Sequence, residues 1–248
     1  PTKNNIGQVQ YIYDQSGKQE IESYDFKGNP LKTIKQFCED YQNTIDWNAA
    51  PTLQTENFKH EFTYDALNRL VTQSLPDTSV QTNTYNQAGL LETVAKDSVL
   101  YVTNINYNEK GQREVIYYGN GSKTRYYYNP LNFRLTRMLT TRNTGSDILQ
   151  DLNYTYDPVG NIVEVNDLAQ ETSYYNNAPI EPKKQFTYDA VYRLKSGNGR
   201  ELEGLAMASH GDYDAASAGI SDQQAVNKFT QQYTYDELGN ILKIEHSA

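Results

Sequence analysis

A stretch of about a dozen residues recurs along this 248-residue chain and constrains its fold more than any other feature. One copy, from Tyr154 to Val165, reads YTYDPVGNIVEV, and others read FTYDALNRLVTQ, YTYDELGNILKI and FTYDAVYRLKSG. Tyr154 and Tyr156 are two residues apart, so both rings point to one face of an extended chain. This alternation predicts a β-strand.

The residues after the second tyrosine predict a tight turn. The Asp157 carboxylate can accept hydrogen bonds from backbone amides of the turn, the next residue is a proline that presets φ, and Gly160 tolerates positive φ. The segment that follows is rich in β-branched residues and predicts a second strand. Each copy is therefore predicted to be an antiparallel β-hairpin, and Asp236 and Gly239 are the matching turn residues of the last copy.

We call the tyrosine before each turn the anchor tyrosine, and the turn itself the YD turn. The steps between successive anchors are 11, 40, 21, 22, 21, 28, 32 and 47 residues. Three steps near 21 define the unit, and the variable remainder favours hairpins with loops of different length over a solenoid or propeller. The predicted structural anchors are Tyr13, Tyr24, Tyr64, Tyr85, Tyr107, Tyr128, Tyr156, Tyr188 and Tyr235.

The fourth residue of each YD turn is expected to have a left-handed backbone. It is glycine in six copies, Asn68 and Asn132 in two, and Tyr192 in one. Glycine and asparagine tolerate this conformation, whereas Tyr192 should cost roughly 1 kcal/mol there or force a different turn.

The composition favours a thin sheet over a compact globule. The chain has 22 tyrosines against one tryptophan and seven phenylalanines, and tyrosine rings can lie on neighbours while their hydroxyls reach solvent or backbone. We predict an all-β fold of YD-repeat hairpins in a curved, extended sheet. Residues 1–248 form a single repeat region that we expect to be excised from a longer protein, with irregular insertions at 32–62 and 195–228. Within the first, LKTIKQFCEDY fits a short amphipathic helix or an extended strand equally well.

Charge and composition exclude several classes of partner and site. The net charge of -9 without clustered Lys and Arg argues against nucleic acid and anionic membranes. No apolar run approaches the roughly 20 residues of a membrane span, and no signal peptide opens the chain. The single cysteine, Cys38, excludes an internal disulfide framework and a multi-cysteine metal site. No metal and no cofactor is predicted.

The recurring aspartates invite comparison with glycosidases, which need two carboxylates roughly 5 to 10 Å apart. Each aspartate, however, begins a predicted turn, and asparagine, which cannot act as acid or nucleophile, replaces it in several copies. Turn capping is therefore favoured, and no catalytic residue is predicted. The histidines His60, His210 and His246 lack ligand spacing. Asp212, Asp214 and Asp222 could hold calcium but lack the spacing of an EF-hand.

Several longer strings carry a family resemblance. They are SYDFKGNPLKT, DYQNTIDWNAAPTLQTENF, TYDALNRLVTQSLPDTS, VTNINYNEKGQREVIYYGNGSKTRYYYNPLNFRLTRMLTTR and LQDLNYTYDPVGNIVEVNDLAQET. Together they resemble the YD repeats of the RHS family, in particular the toxin-type members akin to the B and C components of bacterial insecticidal toxin complexes. The resemblance covers nearly the whole chain and is weakest in residues 195–228.

The resemblance implies a structural role. Such proteins build a long spiralling β-sheet that closes into a hollow shell around a cytotoxic C-terminal domain. The implied partners are the rest of the shell, its toxic cargo and other toxin-complex subunits, and the implied location is secreted or exported from a bacterium. Such shells cut themselves at a segment with paired aspartates, and because we expect this sequence to stop before that segment, autoproteolysis is not carried over.

A carbohydrate-binding or adhesive surface is the alternative function, because aromatic rings stack on sugars and β-repeat proteins can present rows of them. The two hypotheses differ in the anchor tyrosines. These should be exposed in a binding module and packed on neighbouring hairpins in a shell.

The turn assignment makes a prediction about stability. Gly160→Val should destabilise the protein by more than Tyr192→Gly, which should be neutral or stabilising by up to about 1 kcal/mol because glycine relieves a left-handed position. Equilibrium unfolding of the two variants tests this ranking. The opposite order would mean that the turn register is wrong.

Overall fold

The computed structural model describes residues 3–175, 177–202 and 226–247, and this part of the chain is almost entirely β-structure. The chain divides into two compact units, residues 1–120 and 121–248. In the first unit the strands follow one another as an antiparallel meander in which each pairs with the next. They are β1 (Tyr11–Asp14), β2 (Gly17–Tyr24), β3 (Pro30–Phe37), β4 (Phe58–Tyr64), β5 (Leu70–Ser74), β6 (Val80–Tyr85), β7 (Leu91–Lys96), β8 (Val99–Tyr107) and β9 (Arg113–Tyr118).

The second unit is a meander of the same kind with a small separate hairpin. Its strands are β10 (Lys123–Tyr128), β11 (Leu135–Arg142), β12 (Asp147–Tyr156), β13 (Ile162–Asp167), β14 (Ser173–Tyr175), β15 (Ala178–Ile180), β16 (Lys183–Tyr188), β17 (Leu194–Leu202), β18 (Val226–Tyr235) and β19 (Ile241–Ser247). β14 and β15 pair only with each other in the described residues, and β13 pairs directly with β16. The predicted all-β class of antiparallel hairpins is confirmed.

Helical structure in the described ranges is limited to two 3₁₀ turns, Trp47–Ala49 and Asn143–Gly145. Within those same ranges the chain has no helix with the length and apolar character that a membrane crossing requires.

Seven of the nine YD turns, all except those that begin at Asp14 and Asn129, share one pattern of backbone hydrogen bonds, shown by the copy after Tyr156. The Asp157 amide donates to the carbonyl of Asn161 at 3.0 Å, and the Gly160 amide donates to the carbonyl of Asp157 at 3.2 Å. The strand register shifts at the anchor, so that Tyr156 lies opposite Ile162. Residues 157–160 therefore form a hydrogen-bonded β-turn whose last residue has positive φ, as expected for the hairpin connection.

The left-handed positions are occupied as predicted in eight of the nine copies. All six glycines have positive φ, and so do Asn68 at 64° and Tyr192 at 66°. The prediction for Asn132 is wrong, because Phe133 takes the left-handed position with φ of 60°. The turn that begins at Asn129 holds one residue more than the others, since its closing amide bond runs from Phe133 to the Asn129 carbonyl. The left-handed position therefore lies one residue later than predicted, at Phe133.

Both predicted irregular insertions are shorter than expected. β3 occupies Pro30–Phe37, so LKTIKQFCEDY begins as a strand and not as a helix, and β4 begins at Phe58. At the second insertion β17 extends to Leu202 and β18 begins at Val226. Residues 203–225 lie outside the described part of the chain, and with them the candidate calcium ligands Asp212, Asp214 and Asp222 and the histidine His210.

Glycines explain why the extension of β17 was missed from the sequence. Gly197 and Gly199 have low strand propensity, yet each lies opposite an aromatic residue of a neighbouring strand, Phe186 and Phe229 respectively. A Cβ added at Gly199 would come 3.0 Å from the Phe229 ring. The two phenylalanine rings cover the glycines of β17 and supply the packing that side chains at these positions would otherwise provide.

The buried residues of the sheet are few and scattered. No large side chain of the described part is less than 2% exposed. One buried residue, Asp151 on β12, is charged. Arg137 on β11 donates two hydrogen bonds to its carboxylate in a bidentate arrangement, at 2.6 and 2.7 Å. Without a central core, the sheet depends on contacts between adjacent strands and hairpins.

Candidate functional site: the tyrosine ladder

The anchor tyrosines connect successive hairpins through their hydroxyl groups. In at least five copies the hydroxyl donates to the backbone carbonyl of the residue that begins the second strand of the preceding hairpin. We call each of these bonds a rung. The rungs are Tyr85 to Leu70 (2.8 Å), Tyr107 to Leu91 (2.6 Å), Tyr156 to Leu135 (2.7 Å), Tyr188 to Ile162 (2.8 Å) and Tyr235 to Leu194 (2.7 Å).

The other four anchors vary. Tyr24 is buried, and its hydroxyl donates to the carbonyl of Val9 at 2.5 Å. Tyr64 and Tyr128 are half-buried. Tyr13 is 52% exposed and lies against the ring of Trp47, with 4.7 Å between ring centroids. The first rung within the first unit is therefore that of Tyr85, which bonds to the hairpin of Tyr64.

The residue before the anchor points to the opposite face of the sheet, because successive side chains alternate. In three hairpins this residue forms a hydroxyl pair with the cross-strand partner. The pairs are Thr63 with Thr72 (2.6 Å), Thr84 with Thr93 (2.7 Å) and Thr187 with Ser196 (2.6 Å). Neighbouring hairpins are thus joined on one face by tyrosine, while the two strands within a hairpin are joined on the other by threonine or serine.

Apart from Asp14, whose Oδ2 accepts from Lys35 at 2.8 Å, the turn aspartates use both carboxylate oxygens within their own turn, as Asp157 shows. Asp157 Oδ1 accepts from the backbone amides of Gly160 and Asn161 at 2.7 and 2.8 Å, and Oδ2 accepts from the Asn161 side chain at 2.8 Å. Asn108 uses its side-chain oxygen in the same way toward the amides of Lys110 and Gln112. A carboxylate is therefore not needed for this contact, which fits a turn cap and not an acid or nucleophile.

Hydrogen bonding keeps these carboxyl groups ionised. The pKa of Asp65 lies below its usual value chiefly because Arg69 donates to it, and the pKa of Asp236 is lowered chiefly by Asn240. Burial raises the pKa of Asp157, but hydrogen bonds from Asn161 and the turn amides outweigh that effect and leave it lowered. In the related turn at residues 75–79, the Ser79 hydroxyl and amide and then Lys96 lower the pKa of Asp77 to about 2.

Three arginines that the sequence analysis left without a role lie beside the ladder. Arg69, Arg134 and Arg193 each directly follow a left-handed residue that is not glycine, and each guanidinium lies over the anchor ring of the next hairpin. Their recurrence five or six residues after an anchor tyrosine is the sequence feature from which a shared role could have been predicted.

The remaining candidate ligands do not converge. Among the described residues, no group of three or more His, Cys, Asp or Glu side chains is placed to hold a metal ion. His60 stacks on Phe62, and His246 lies 2.9 Å from the Glu201 carboxylate. Cys38 is buried and forms an isolated antiparallel β-bridge with Leu53.

The rungs make a prediction about stability. Tyr156→Phe should destabilise the protein by about 1 kcal/mol, because it removes one hydrogen bond and leaves the Leu135 carbonyl without that donor. Urea unfolding measures the change. Tyr174→Phe is the control, since Tyr174 is 75% exposed and the loss should stay below about 0.5 kcal/mol. Equal effects of the two substitutions would contradict the rung.

The turn carboxylates make the fold sensitive to acid. Their pKa values are lower in the folded chain than the value near 4 of an unfolded aspartate. Their contribution to stability is therefore present above about pH 4 and is lost as the pH falls below that value, toward about 2 in the case of Asp77. The urea midpoint should fall across this window. Asp236→Asn should flatten the decline while preserving the turn, and an unchanged slope would contradict the assignment.

Sequence comparison finds relatives among toxin subunits. The chain is 30% identical to the toxin subunit YenC2 of Yersinia entomophaga, over 99% of this chain and 27% of that protein. It is 27% identical to YenC1 of the same organism, again over 99% of this chain. The chain thus spans about a quarter of the length of these curated relatives. No model of a known protein family matches it.

Solved structures of toxin complexes share the fold. The crystal structure of TcdB2-TccC3-Cdc42 superposes with a TM-score of 0.71 at 31% identity, over 99% of this chain and 12% of that one. The Photorhabdus luminescens Tc holotoxin pore, which carries a TccC3 mutation, gives a TM-score of 0.69 at 30% identity, over 97% of this chain and 11% of that one. The predicted resemblance is confirmed: the chain is homologous to toxin-complex subunits and similar to the RHS/YD-repeat region of their B and C components.

Proposed function

We propose that this chain is a wall segment of an RHS shell that encloses a toxic C-terminal cargo. The observation that carries the proposal is the ladder, in which the anchor of one hairpin bonds to the backbone of the hairpin before it. An arrangement of this kind can extend a sheet hairpin by hairpin without a thick core. The scattered burial of the described residues fits a wall with two accessible faces.

In this proposal the chain contributes structure and not catalysis. Its partners are the rest of the parent shell, the cargo and other toxin-complex subunits, and the parent is an exported bacterial toxin. The homology to YenC2 and the likeness to the Tc structures support this assignment. The turn aspartates support it too, since hydrogen bonds from their own turns, or from Lys35 in the case of Asp14, engage their oxygens.

The alternative glycan-binding function is disfavoured by the ladder tyrosines. A binding surface needs ring faces that are open to the ligand, whereas the anchors other than Tyr13 are buried or half-buried. At least six of their hydroxyls donate to backbone carbonyls and are not free for a sugar.

The proposal predicts protection of the cargo. In the intact parent protein, a protease should digest the cargo at least tenfold more slowly than it digests the same cargo expressed alone, because the wall excludes the protease. Time courses on gels measure the two rates. Replacing both Tyr156 and Tyr188 by alanine should speed digestion, while the exposed-site control Tyr174→Ala should not. Equal digestion of enclosed and free cargo would refute encapsulation, and tight glycan binding by the chain would favour the alternative.

A further inference from the structure

The three arginines beside the ladder follow a rule that is visible in both sequence and structure. Where the left-handed turn position holds a residue other than glycine, namely Asn68, Phe133 or Tyr192, the next residue is arginine. Where that position holds glycine, the next residue is never arginine in the six copies concerned. A side chain in the left-handed conformation is strained, so a strained turn is consistently followed by a strong hydrogen-bond donor.

Two of these turns bind their arginine within the turn. Arg69 Nε donates to Asp65 Oδ2 at 2.7 Å, and Arg193 Nε donates to Asp189 Oδ2 at 2.6 Å. The ion pair offsets the strain locally and fixes the direction of the guanidinium. The turn that precedes Arg134 begins with Asn129 and has no carboxylate for such a pair.

All three guanidinium groups reach the next hairpin. The guanidinium carbon lies 4.3 Å from the ring centroid of Tyr85 for Arg69, 5.6 Å from that of Tyr156 for Arg134, and 4.7 Å from that of Tyr235 for Arg193. These distances are those of cation–π contacts. The arginine therefore holds the same ring whose hydroxyl forms the rung.

A second contact ties two of the arginines to the next turn. Arg134 Nη1 donates to the carbonyl of Asp157 at 3.2 Å, and Arg193 Nη1 donates to the carbonyl of Asp236 at 3.3 Å. Trp47 makes the same two contacts at the first hairpin, since its ring lies against Tyr13 and its Nε1 donates to the carbonyl of Asp14 at 3.0 Å. A planar N–H donor thus occupies this position whether it comes from a repeat or from a loop.

The arginine also limits which residue the next turn can hold. A Cβ added at Gly160 would lie 2.5 Å from Arg134 Nη2, and one added at Gly89 would lie 3.1 Å from Arg69 Nη1. At Gly239, which follows Arg193, no atom lies within 4 Å of the added Cβ. A side chain at the left-handed position would therefore be crowded by the guanidinium at Gly160 and Gly89 but not at Gly239.

We infer that Arg69, Arg134 and Arg193 are positioning residues that clamp the anchor ring of the following hairpin, that Arg134 and Arg193 also clamp its turn, and that glycine is favoured at the left-handed position of that turn where the guanidinium lies against it. This inference rests on contacts inside the chain and holds whether or not the shell encloses a cargo.

Hydrogen exchange on the whole protein, measured by mass spectrometry, tests the clamp. Arg134→Ala should speed amide exchange about tenfold in residues 154–161, the hairpin that it clamps, and much less in strands β16–β19. Arg125→Ala, at an exposed strand arginine, is the matched control and should change neither. Arg134→Lys should recover only part of the protection, because lysine keeps the charge but not the planar donor. Full recovery with lysine, or an effect spread equally over the unit, would overturn the clamp.

A pair of glycine substitutions tests the steric part. Gly160→Ala should speed exchange in its turn, and this effect should be roughly threefold smaller when Arg134 is already alanine, because the crowded guanidinium is gone. Gly239→Ala provides the contrast, since its effect should be the same with Arg193 or with Arg193→Ala. Coupling at Gly239 as large as at Gly160, or none at Gly160, would overturn the steric requirement.

Discussion

The hydrogen bond from an anchor tyrosine to the backbone of the preceding hairpin is the interaction on which the rest of this structure depends. A single hairpin is marginally stable in water and needs further strands or a packed face. Here the added stability comes from the neighbouring hairpin, through paired strands, a half-buried ring and a rung of 2.6 to 2.8 Å. Each hairpin is therefore both supported by one neighbour and a support for the next.

This dependence explains the tyrosine-rich composition. Phenylalanine would bury a similar ring but could not satisfy the carbonyl that begins the preceding second strand, and leucine would supply neither the reach nor the donor. The YD turn also helps to join neighbouring hairpins. Its first side chain, Asp or Asn, accepts hydrogen bonds from the turn amides and so places the second strand at a fixed register from the anchor. The arginine clamps add a contact between consecutive turns, so the hairpins are joined at their ends as well as along their strands.

The sequence was sufficient to predict the local structure of each hairpin but not the contacts between one repeat and another. Alternating aromatics and turn residues predicted the hairpins and eight of nine left-handed positions, because both depend on a few adjacent residues. The position at Phe133 was missed because the turn after Asn129 has one extra residue. Gly197 and Gly199 concealed part of β17, since the rings that support them come from other strands. The arginine contacts were missed for the same reason, as their partners lie 16 to 42 residues away.

The most direct test of the ladder is whether the loss of one rung weakens the two hairpins that it joins and leaves the others intact. Tyr188→Phe removes only the hydroxyl that donates to Ile162. Amide hydrogen exchange on the whole protein should accelerate in β12–β13 and in β16–β17, with no change in β4–β7. Acceleration confined to the hairpin that carries Tyr188, or spread evenly over all of these strands, would contradict the account.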